Sequence, residues 1–242
     1  MSAIEIKHLR KEYKDVVAVE DLSLSVKEGE IFALLGVNGA GKTTTIKMLS
    51  TLSRPTSGDA LIYGKSVVTQ ADEVKGLLDV STQETAVARK LTVSENIDFY
   101  AALNDLSAQE AKEVKQRCYD VFGLDAVKDK TAAKLSGGWQ RKLSIALALV
   151  SKPKVLFLDE PTLGLDVLAR RELWKAIAAM KGEMTIILTT HYMEEAEALS
   201  DRIGVMAGGK LLFVGTKEEM YAVSGKQNVE DAFIEIVSGG KV

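Results

Sequence analysis

The sequence predicts an α/β fold, and two parts of the chain with the same organisation point to it. The apolar runs VLFLD and MTIILTT follow Pro153 and are separated by a helical pattern from about residue 167 to residue 180. Earlier, the apolar run EIFALL leads into a glycine-rich stretch and then into helical spacing at Ile46, Leu49 and Leu52. Strands that alternate with helices form parallel sheets, because a helix carries the chain back to the start of the next strand. We therefore expect a parallel α/β core.

The first 35 residues are predicted to form half-buried strands. Apolar and polar residues alternate at Ile4 and Ile6, between residues 22 and 26, and between residues 31 and 35. A period of two places alternate side chains on opposite faces of a sheet. A further short strand is expected at DALIYG, so the first part of the chain is predicted to be mixed sheet around the core.

The middle of the chain is predicted to be helical. Thr92 with Glu95 and Ser107 with Glu110 both fit capping boxes, which mark helix starts. The second helix is expected to bury a stripe of side chains and to end at a glycine, and the residues concerned are Ala111, Val114, Cys118, Val121 and Gly123. Cys118 is then expected to be a core residue and not a reactive thiol.

The end of the chain is predicted to contain a hairpin and two short helices. The segment GVMAGGKLLFVG is expected to turn at Gly208 and Gly209, because glycines supply the positive φ angles of tight hairpin turns. Helical patterns begin near Thr216 and Asn228.

Composition places the chain among folded globular proteins. Its 242 residues are 46% hydrophobic and 27% charged, which excludes the disordered and collagen-like classes. A chain of this length can form one large domain or one domain with an inserted lobe. The longest apolar runs, such as residues 145–150, are far shorter than the roughly 18 residues that span a bilayer. The charged start lacks the apolar centre of a secretory signal, so we expect a cytoplasmic protein without a membrane span.

The cysteine, histidine and charge content argues against an internal disulfide, a structural metal site and a nucleic-acid surface. A single cysteine cannot form an internal disulfide, and two histidines do not provide the spacing of a structural metal site. The net charge of −3 and the pI near 5.6 give no overall positive field for nucleic acid. No nucleic-acid partner is expected.

The strongest chemical signal is a loop with the spacing of a nucleotide phosphate loop. The run GVNGAGKT, residues 36–43, lies between a predicted strand and a predicted helix. Its glycines let the backbone approach phosphate oxygens, Lys42 can reach the β- and γ-phosphates, and Thr43 can bind Mg²⁺. A glycine-rich turn without a ligand is the alternative. The loop residues predicted to contact ATP are Gly36, Asn38, Gly39, Ala40, Gly41, Lys42, Thr43 and Thr44.

The apolar strand VLFLDE, residues 155–160, ends in two carboxylates, which need an explanation. Asp159 is expected at the carboxyl edge of the sheet, where ligands bind in open α/β folds, and there it can hold Mg²⁺ directly or through water. Glu160 is expected to point elsewhere and can activate a water molecule as a general base. The alternative, a pair of acids that merely solvate a loop, loses weight because the phosphate loop is also present.

At LSGGWQRK, residues 135–142, the chain resembles the signature sequence of the ATP-binding cassette family. The resemblance covers nearly the whole chain, in the family's order: Tyr13, the phosphate loop, Gln83, LSGG, LFLDEPT, LGLD and His191. It implies an α/β phosphate-loop NTPase core with an antiparallel β subdomain, in residues 1–83 and 151–242. An inserted helical subdomain is expected in residues 84–150.

The resemblance implies roles for two residues near the loop. Tyr13 is similar to the family's aromatic residue that stacks on adenine, and ordinary packing on a strand is the alternative. Gln83 resembles a glutamine whose amide oxygen reaches Mg²⁺, which would complete a metal set with Thr43 and Asp159. An ordinary loop glutamine is the alternative for Gln83.

The resemblance also implies a site shared between two chains. Ser136, Gly137 and Gly138 begin an apolar helix and resemble the segment that faces the γ-phosphate bound to a partner subunit. A head-to-tail homodimer or heterodimer follows from that role. A simple serine helix cap is the alternative. Trp139 departs from the glutamine or methionine that is common at its position, and it is expected to pack within the lobe.

Asp166 and His191 complete the implied site. Asp166 resembles a residue of the loop that crosses the dimer interface, and it equally fits the N-cap of the following helix. His191 follows its strand as Asp159 follows another, so both are expected at one crevice. A histidine in such a place is often only a polar boundary residue, but the resemblance implies a hydrogen bond to the γ-phosphate. The predicted catalytic residues are therefore Lys42, Glu160 and His191.

The function that the resemblance implies is ATP hydrolysis that powers transport through a separate transmembrane permease. The chain is then expected on the inner face of the cell membrane. The segment VEDAFIEI resembles cassettes of exporters for hydrophobic compounds and lipids, so export is the expected direction, and the tail is expected to leave no room for a regulatory domain. The alternatives are a soluble cassette ATPase, acting in translation or DNA repair, and a nucleotide-sensing module that does not hydrolyse.

Overall fold

The computed structural model describes residues 2–239 and contains two β-sheets with helices around them. The strands are β1 Ser2–Tyr13, β2 Val16–Lys27, β3 Ile31–Leu35, β4 Ser57–Ile62, β5 Lys65–Ser66, β6 Leu78–Ser81, β7 Val155–Asp159, β8 Thr185–Thr190, β9 Arg202–Ala207 and β10 Lys210–Gly215. The α-helices are α1 Lys42–Leu49, α2 Ala71–Lys75, α3 Val93–Leu103, α4 Ala108–Phe122, α5 Gly137–Ala148, α6 Val167–Ala179, α7 Met193–Leu199, α8 Lys217–Ser224 and α9 Val229–Val237. Short 3₁₀ turns lie at Leu124–Val127 and Ala132–Lys134.

The larger sheet has six strands in the order β10-β9-β3-β8-β7-β6. Its strands run parallel except for β10, which pairs antiparallel with β9. The predicted parallel α/β core is therefore confirmed. The prediction that residues 31–35 are half-buried was wrong, because β3 lies inside the sheet and all five of its residues are buried. Ile31 faces one hydrophobic cluster and Phe32 faces the other.

The smaller sheet is antiparallel, with the order β2-β1-β4-β5. Its apolar residues, including Ile4, Leu22 and Val26, join one cluster with Phe32 of β3 and Ile46 of α1. This cluster attaches the smaller sheet to the phosphate-loop side of the larger one, so the antiparallel β portion that the sequence predicts is confirmed.

Helices α3, α4 and α5 occupy the predicted helical stretch. Both capping boxes are formed, at Thr92 and Ser107, and Gly123 ends α4 in the left-handed region at φ 67°. Cys118 is buried, its thiol donates to the Ala146 carbonyl at 3.4 Å, and burial raises its thiol pKa to about 12. These features fit the predicted core cysteine and not a reactive thiol. One hydrophobic cluster continues from α3 and α4 into β3, β7 and β8, and the division at residues 84–150 stays a prediction.

Two sequence predictions of local structure need correction, and one strand was not predicted. Helical spacing predicted α1 to continue through Leu52, but α1 ends at Leu49, Thr51 has a φ of 62°, and Leu52 is 66% exposed. The predicted stripe of α4 is buried at Val114 and Cys118, whereas its outer members Ala111 and Val121 are only partly buried and the unpredicted Phe122 is buried. Strand β6 was not predicted, because Asp79 and Ser81 interrupt its apolar run.

The hairpin and the two short helices predicted for the end of the chain are present. Gly208 and Gly209 have φ angles of 55° and 79° between β9 and β10. Thr216 and Asn228 cap α8 and α9 through their side chains. None of the helices formed by residues 2–239 combines the length and apolarity needed to cross a bilayer.

Candidate nucleotide-binding site

An open cleft of about 450 Å³ lies where β3, β7 and β8 of the larger sheet end. Most of the sequence-predicted site residues line it: Tyr13, Asn38, Gly39, Ala40, Gly41, Lys42, Thr43, Thr44, Gln83, Glu160 and His191. The cleft also contacts residues that sequence reasoning did not identify, namely Val16, Val17, Ala18 and Leu163. Gly36, Asp159, Asp166 and the segment 136–138 do not line it.

Glycines shape the phosphate loop because larger residues do not fit. A Cβ atom on Gly36 would lie 2.3 Å from the Met206 carbonyl oxygen, and one on Gly41 would lie 2.4 Å from the Ala18 carbonyl oxygen. Gly41 also has a φ of 104°, in the region that favours glycine. The loop is thus held tightly against β2 and β9 by backbone contacts.

The start of α1 presents free backbone donors to the cleft. The first helical hydrogen bond runs from the Thr45 N–H to the Gly41 carbonyl at 2.9 Å. The N–H groups of residues 42–44 therefore have no partner within the helix. Such groups, together with the positive end of the helix dipole, form a binding site for a phosphate group.

Lys42 lies in a buried ion pair at the base of the cleft. Its Nζ donates to the carbonyl oxygens of Gly36 and Val37, at 2.7 and 3.2 Å, and lies 3.3 Å from Glu160 Oε1. The side chains of Lys42 and Glu160 are only 5% and 9% exposed. A phosphate group that reaches Lys42 therefore competes with the Glu160 carboxylate for the same ammonium group.

Thr43 and Asp159 bring together the oxygen donors that Mg²⁺ prefers. The Thr43 hydroxyl donates to Asp159 Oδ1 at 3.1 Å, and the Thr189 hydroxyl donates to the same oxygen at 2.5 Å. Asp159 itself is buried behind Thr43. A hydroxyl and a carboxylate at this distance fit a hard cation that keeps most of its water ligands.

Glu160 and His191 form a close pair across the ends of β7 and β8. Glu160 Oε2 lies 2.5 Å from His191 Nδ1. The backbone of Glu160 is in the left-handed region at φ 50°, and its N–H donates to both the carbonyl and the hydroxyl of Thr189. An ionised carboxylate only accepts hydrogen bonds, so the proton of this contact belongs to Nδ1. The pair places a potential proton acceptor and a histidine side by side at the cleft.

Tyr13 and two valines form the outer wall of the cleft. Tyr13 ends β1 and is 45% exposed, and Val16 and Val17 begin β2 with their side chains also exposed. The Lys11 ammonium lies 4.8 Å from the centre of the Tyr13 ring. An aromatic ring beside apolar groups can stack on a flat purine ring, and the adenine role of Tyr13 stays a prediction. The sequence does not predict the two valines at the site, because an alternating strand pattern does not indicate which end of the strand faces a ligand.

Arg141 is a structural residue of the site that sequence reasoning missed. It is 4% exposed, and its guanidinium donates to four backbone carbonyl oxygens, those of Thr82, Gln83, Asp159 and Pro161. Burial lowers the pKa of Arg141 to about 10. One side chain on α5 thus ties the Gln83 loop to the end of β7. The position lies within LSGGWQRK, but nothing in the sequence shows that its partners are carbonyls of two other segments.

Arg141→Met is expected to lower the free energy of unfolding by about 3 kcal/mol, because it leaves buried carbonyl groups without donors. Urea denaturation measures the effect. Arg171→Met on the exposed side of α6 is the matched control, and it should change stability by less than about 0.5 kcal/mol. Equal effects of the two substitutions would contradict the structural role of Arg141.

The signature segment lies away from the cleft of its own chain. Ser136 and Gly137 are exposed at the start of α5, and the Ser136 hydroxyl makes no capping hydrogen bond, so the simple serine cap is not formed. Asp166 does cap α6, accepting from the N–H groups of Leu168 and Ala169 at 2.9 Å. Trp139 packs against the core, and the Lys142 ammonium lies 4.5 Å from its ring centre, as expected for a packing residue.

Comparisons with known proteins agree on one family. The sequence model described as ABC transporter matches residues 19–163. The chain is 44% identical over 220 residues to human phospholipid-transporting ATPase ABCA3, covering 89% of this chain and 13% of that protein. It is 40% identical over 224 residues to the daunorubicin/doxorubicin resistance ATP-binding protein DrrA of Streptomyces peucetius, covering 92% of this chain and 68% of that protein. The chain thus spans a small part of the first relative and most of the second.

A solved structure supports the same assignment. The ATP binding subunit of an ABC transporter superposes with a TM-score of 0.86 at 27% sequence identity, and the match covers 97% of this chain and 99% of that one. The similarity therefore includes the two sheets, the helical stretch and the cleft.

Proposed function

This chain belongs to the ABC transporter family, and from that premise we propose that it binds ATP with Mg²⁺ in the cleft and hydrolyses it. Hydrolysis then energises export through a separate transmembrane permease, which holds the chain at the inner face of the cell membrane. The main support is the convergence of Lys42, Thr43, Glu160 and His191 on one cleft at the ends of three parallel strands.

Each group has a defined task in the proposed reaction. Lys42 and the N–H groups of the loop hold the β- and γ-phosphates, and Tyr13 stacks on the adenine ring. Thr43, Asp159 and Gln83 are the residues that would hold Mg²⁺, which when bound supplies positive charge that neutralises phosphate oxygens.

The proton transfer is assigned to Glu160. It takes a proton from the attacking water as the new bond to the γ-phosphorus forms and the bond to the bridging oxygen breaks. His191, which lines the same cleft, is assigned a hydrogen bond to the γ-phosphate.

The cleft is proposed to be completed by a second chain. Ser136 and Gly137 are exposed and Gly138 is half-buried at a helix start that does not line the cleft of its own chain, which supports a role against the γ-phosphate of a partner. Asp166 lies at the start of α6 on the same proposed interface. A homodimer and a heterodimer of cassettes both satisfy this arrangement.

Lys42→Ala tests the binding site itself. The substitution is expected to raise the Kd for ATP by about tenfold or more, because a charge-assisted contact to the phosphates is lost. Isothermal titration calorimetry measures the change. Lys47→Ala is the matched control, since Lys47 is exposed on the same helix. Unchanged ATP binding by a folded Lys42→Ala protein would contradict the phosphate-loop assignment.

Affinity purification from membranes tests the transport role. A tagged chain is expected to recover a polytopic membrane protein, and Glu160→Gln is a useful second bait because it is expected to retain ATP. Recovery only of ribosomal or DNA-repair components would favour the soluble ATPase instead. A non-hydrolysing sensor is disfavoured because Glu160 and His191 are both in place.

A further inference from the structure

Tyr192, the residue after His191, lies in contact with two charged or titratable side chains. Its ring centre is 4.2 Å from that of His191, with an interplanar angle of 40°. The Arg170 guanidinium carbon lies 4.4 Å from the centre of the same tyrosine ring. Arg170 belongs to α6, so these contacts join α6 to the loop that holds His191.

The environment of Arg170 favours the ring contact over hydrogen bonding. Its Nε atom is buried and has no hydrogen-bond partner among residues 2–239. A buried N–H without a partner is unfavourable, whereas a guanidinium over an aromatic face gains cation–π attraction, more so when water is excluded. The position of Arg170 is therefore explained by Tyr192 and not by a hydrogen bond from Nε.

A second contact joins α6 to α7, one helical turn further along α6. The Trp174 indole N–H donates to Glu195 Oε1 at 3.0 Å. Glu195 is fully buried in α7, and burial raises the pKa of its carboxyl. Residues 170 and 174 of α6 thus hold residues 192 and 195, on either side of the start of α7.

We propose that Arg170 and Tyr192 are positioning residues for His191, and that they hold its imidazole in the orientation that directs Nδ1 to Glu160. An imidazole has a soft rotation about its second side-chain torsion, and a half-turn would put Cδ2 in the place of Nδ1 and break the contact with Glu160. The tilted Tyr192 ring, in contact with one side of the imidazole, restricts that rotation. The proposal rests on the proposed function, because His191 matters only if the cleft hydrolyses ATP.

Steady-state ATPase kinetics provide the first test. Tyr192→Leu is expected to lower kcat by about tenfold and to leave the KM for ATP within about twofold, because orientation and not nucleotide binding is lost. Tyr192→Phe keeps the ring, and its kcat is expected to stay within about twofold of the parent value. Arg170→Met should lower kcat, and Arg170→Lys should recover part of the loss because it restores a cation over the ring. Arg171→Met is the control on the exposed side of α6.

Several kinetic outcomes would overturn the proposal. These are an unchanged kcat in Tyr192→Leu, an equal loss in Tyr192→Phe and Tyr192→Leu, or an equal loss in Arg170→Met and Arg171→Met. A parent chain without ATPase activity would instead overturn the proposed function.

NMR of the histidine rings tests the contact without requiring turnover. The sequence contains only His8 and His191, and His8 is exposed beside Asp21, so it provides an internal reference. Tyr192→Leu and Arg170→Met are expected to move the ring signals of His191 and to leave those of His8 in place, whereas Tyr192→Phe should keep both near the parent positions. Unmoved His191 signals in folded Tyr192→Leu and Arg170→Met proteins would overturn the positioning role.

Discussion

Replacing Glu160 with Gln is expected to slow ATP hydrolysis by about a hundredfold or more, because the water loses its general base. The same substitution is expected to leave ATP binding intact or to tighten it. Glu160 Oε1 lies 3.3 Å from the Lys42 ammonium, and removing that negative charge frees Lys42 for the phosphates of ATP. The two effects are measured by steady-state phosphate release and by calorimetric titration.

Glu194→Gln is the matched control for this experiment. Glu194 is an exposed acid in the first turn of α7, and its replacement removes the same charge without touching the ion pair. Near-parent turnover in Glu160→Gln would remove Glu160 from the catalytic role. Weaker ATP binding in Glu160→Gln would contradict the competition between Glu160 and phosphate for Lys42.

The sequence predicts which residues lie at this cleft better than it predicts their supports. Lys42, Glu160 and His191 were all predicted to lie there, because the place of each depends on short spacings within one segment. Arg141 and Tyr192 were not, because each acts through partners brought near only by the fold.

The errors in secondary structure have a similar physical origin. Strand β6 has a polar residue at Asp79, whose carboxylate accepts a hydrogen bond from the distant Ser151 hydroxyl at 2.9 Å. Strand β3 is apolar at all five positions, and alternate residues pack into the two clusters on its two faces. The prediction of a half-buried strand rested on residues 31, 33 and 35 alone. The contact of Asp79 with Ser151 depends on the tertiary fold and is not visible in the local pattern.

Ser136→Arg is expected to abolish ATP hydrolysis while the chain still binds ATP. The residue is exposed at the start of α5 and does not line its own cleft, so a large side chain there should leave binding by the same chain unchanged. It should block the helix start that is proposed to face the γ-phosphate of a second chain. Phosphate release and calorimetric titration on one preparation measure the two effects.

Gln109→Arg controls for added bulk and charge, since Gln109 is exposed on α4, and it should retain parent turnover. Loss of ATP binding in a folded Ser136→Arg protein would place Ser136 in the cleft of its own chain. Parent-like hydrolysis would exclude the segment from the reaction.

One complete site is proposed to need two chains, and mixing two inactive variants tests this requirement. A Lys42→Ala chain keeps its signature segment, and a Ser136→Arg chain keeps its phosphate loop. Neither should hydrolyse ATP alone, but a heterodimer of the two has one site with both parts intact. ATPase activity that appears on mixing and requires both proteins is the predicted result. Continued absence of activity in a mixture shown to form heterodimers, or parent-rate hydrolysis by monomeric Ser136→Arg, would contradict a site shared between two chains.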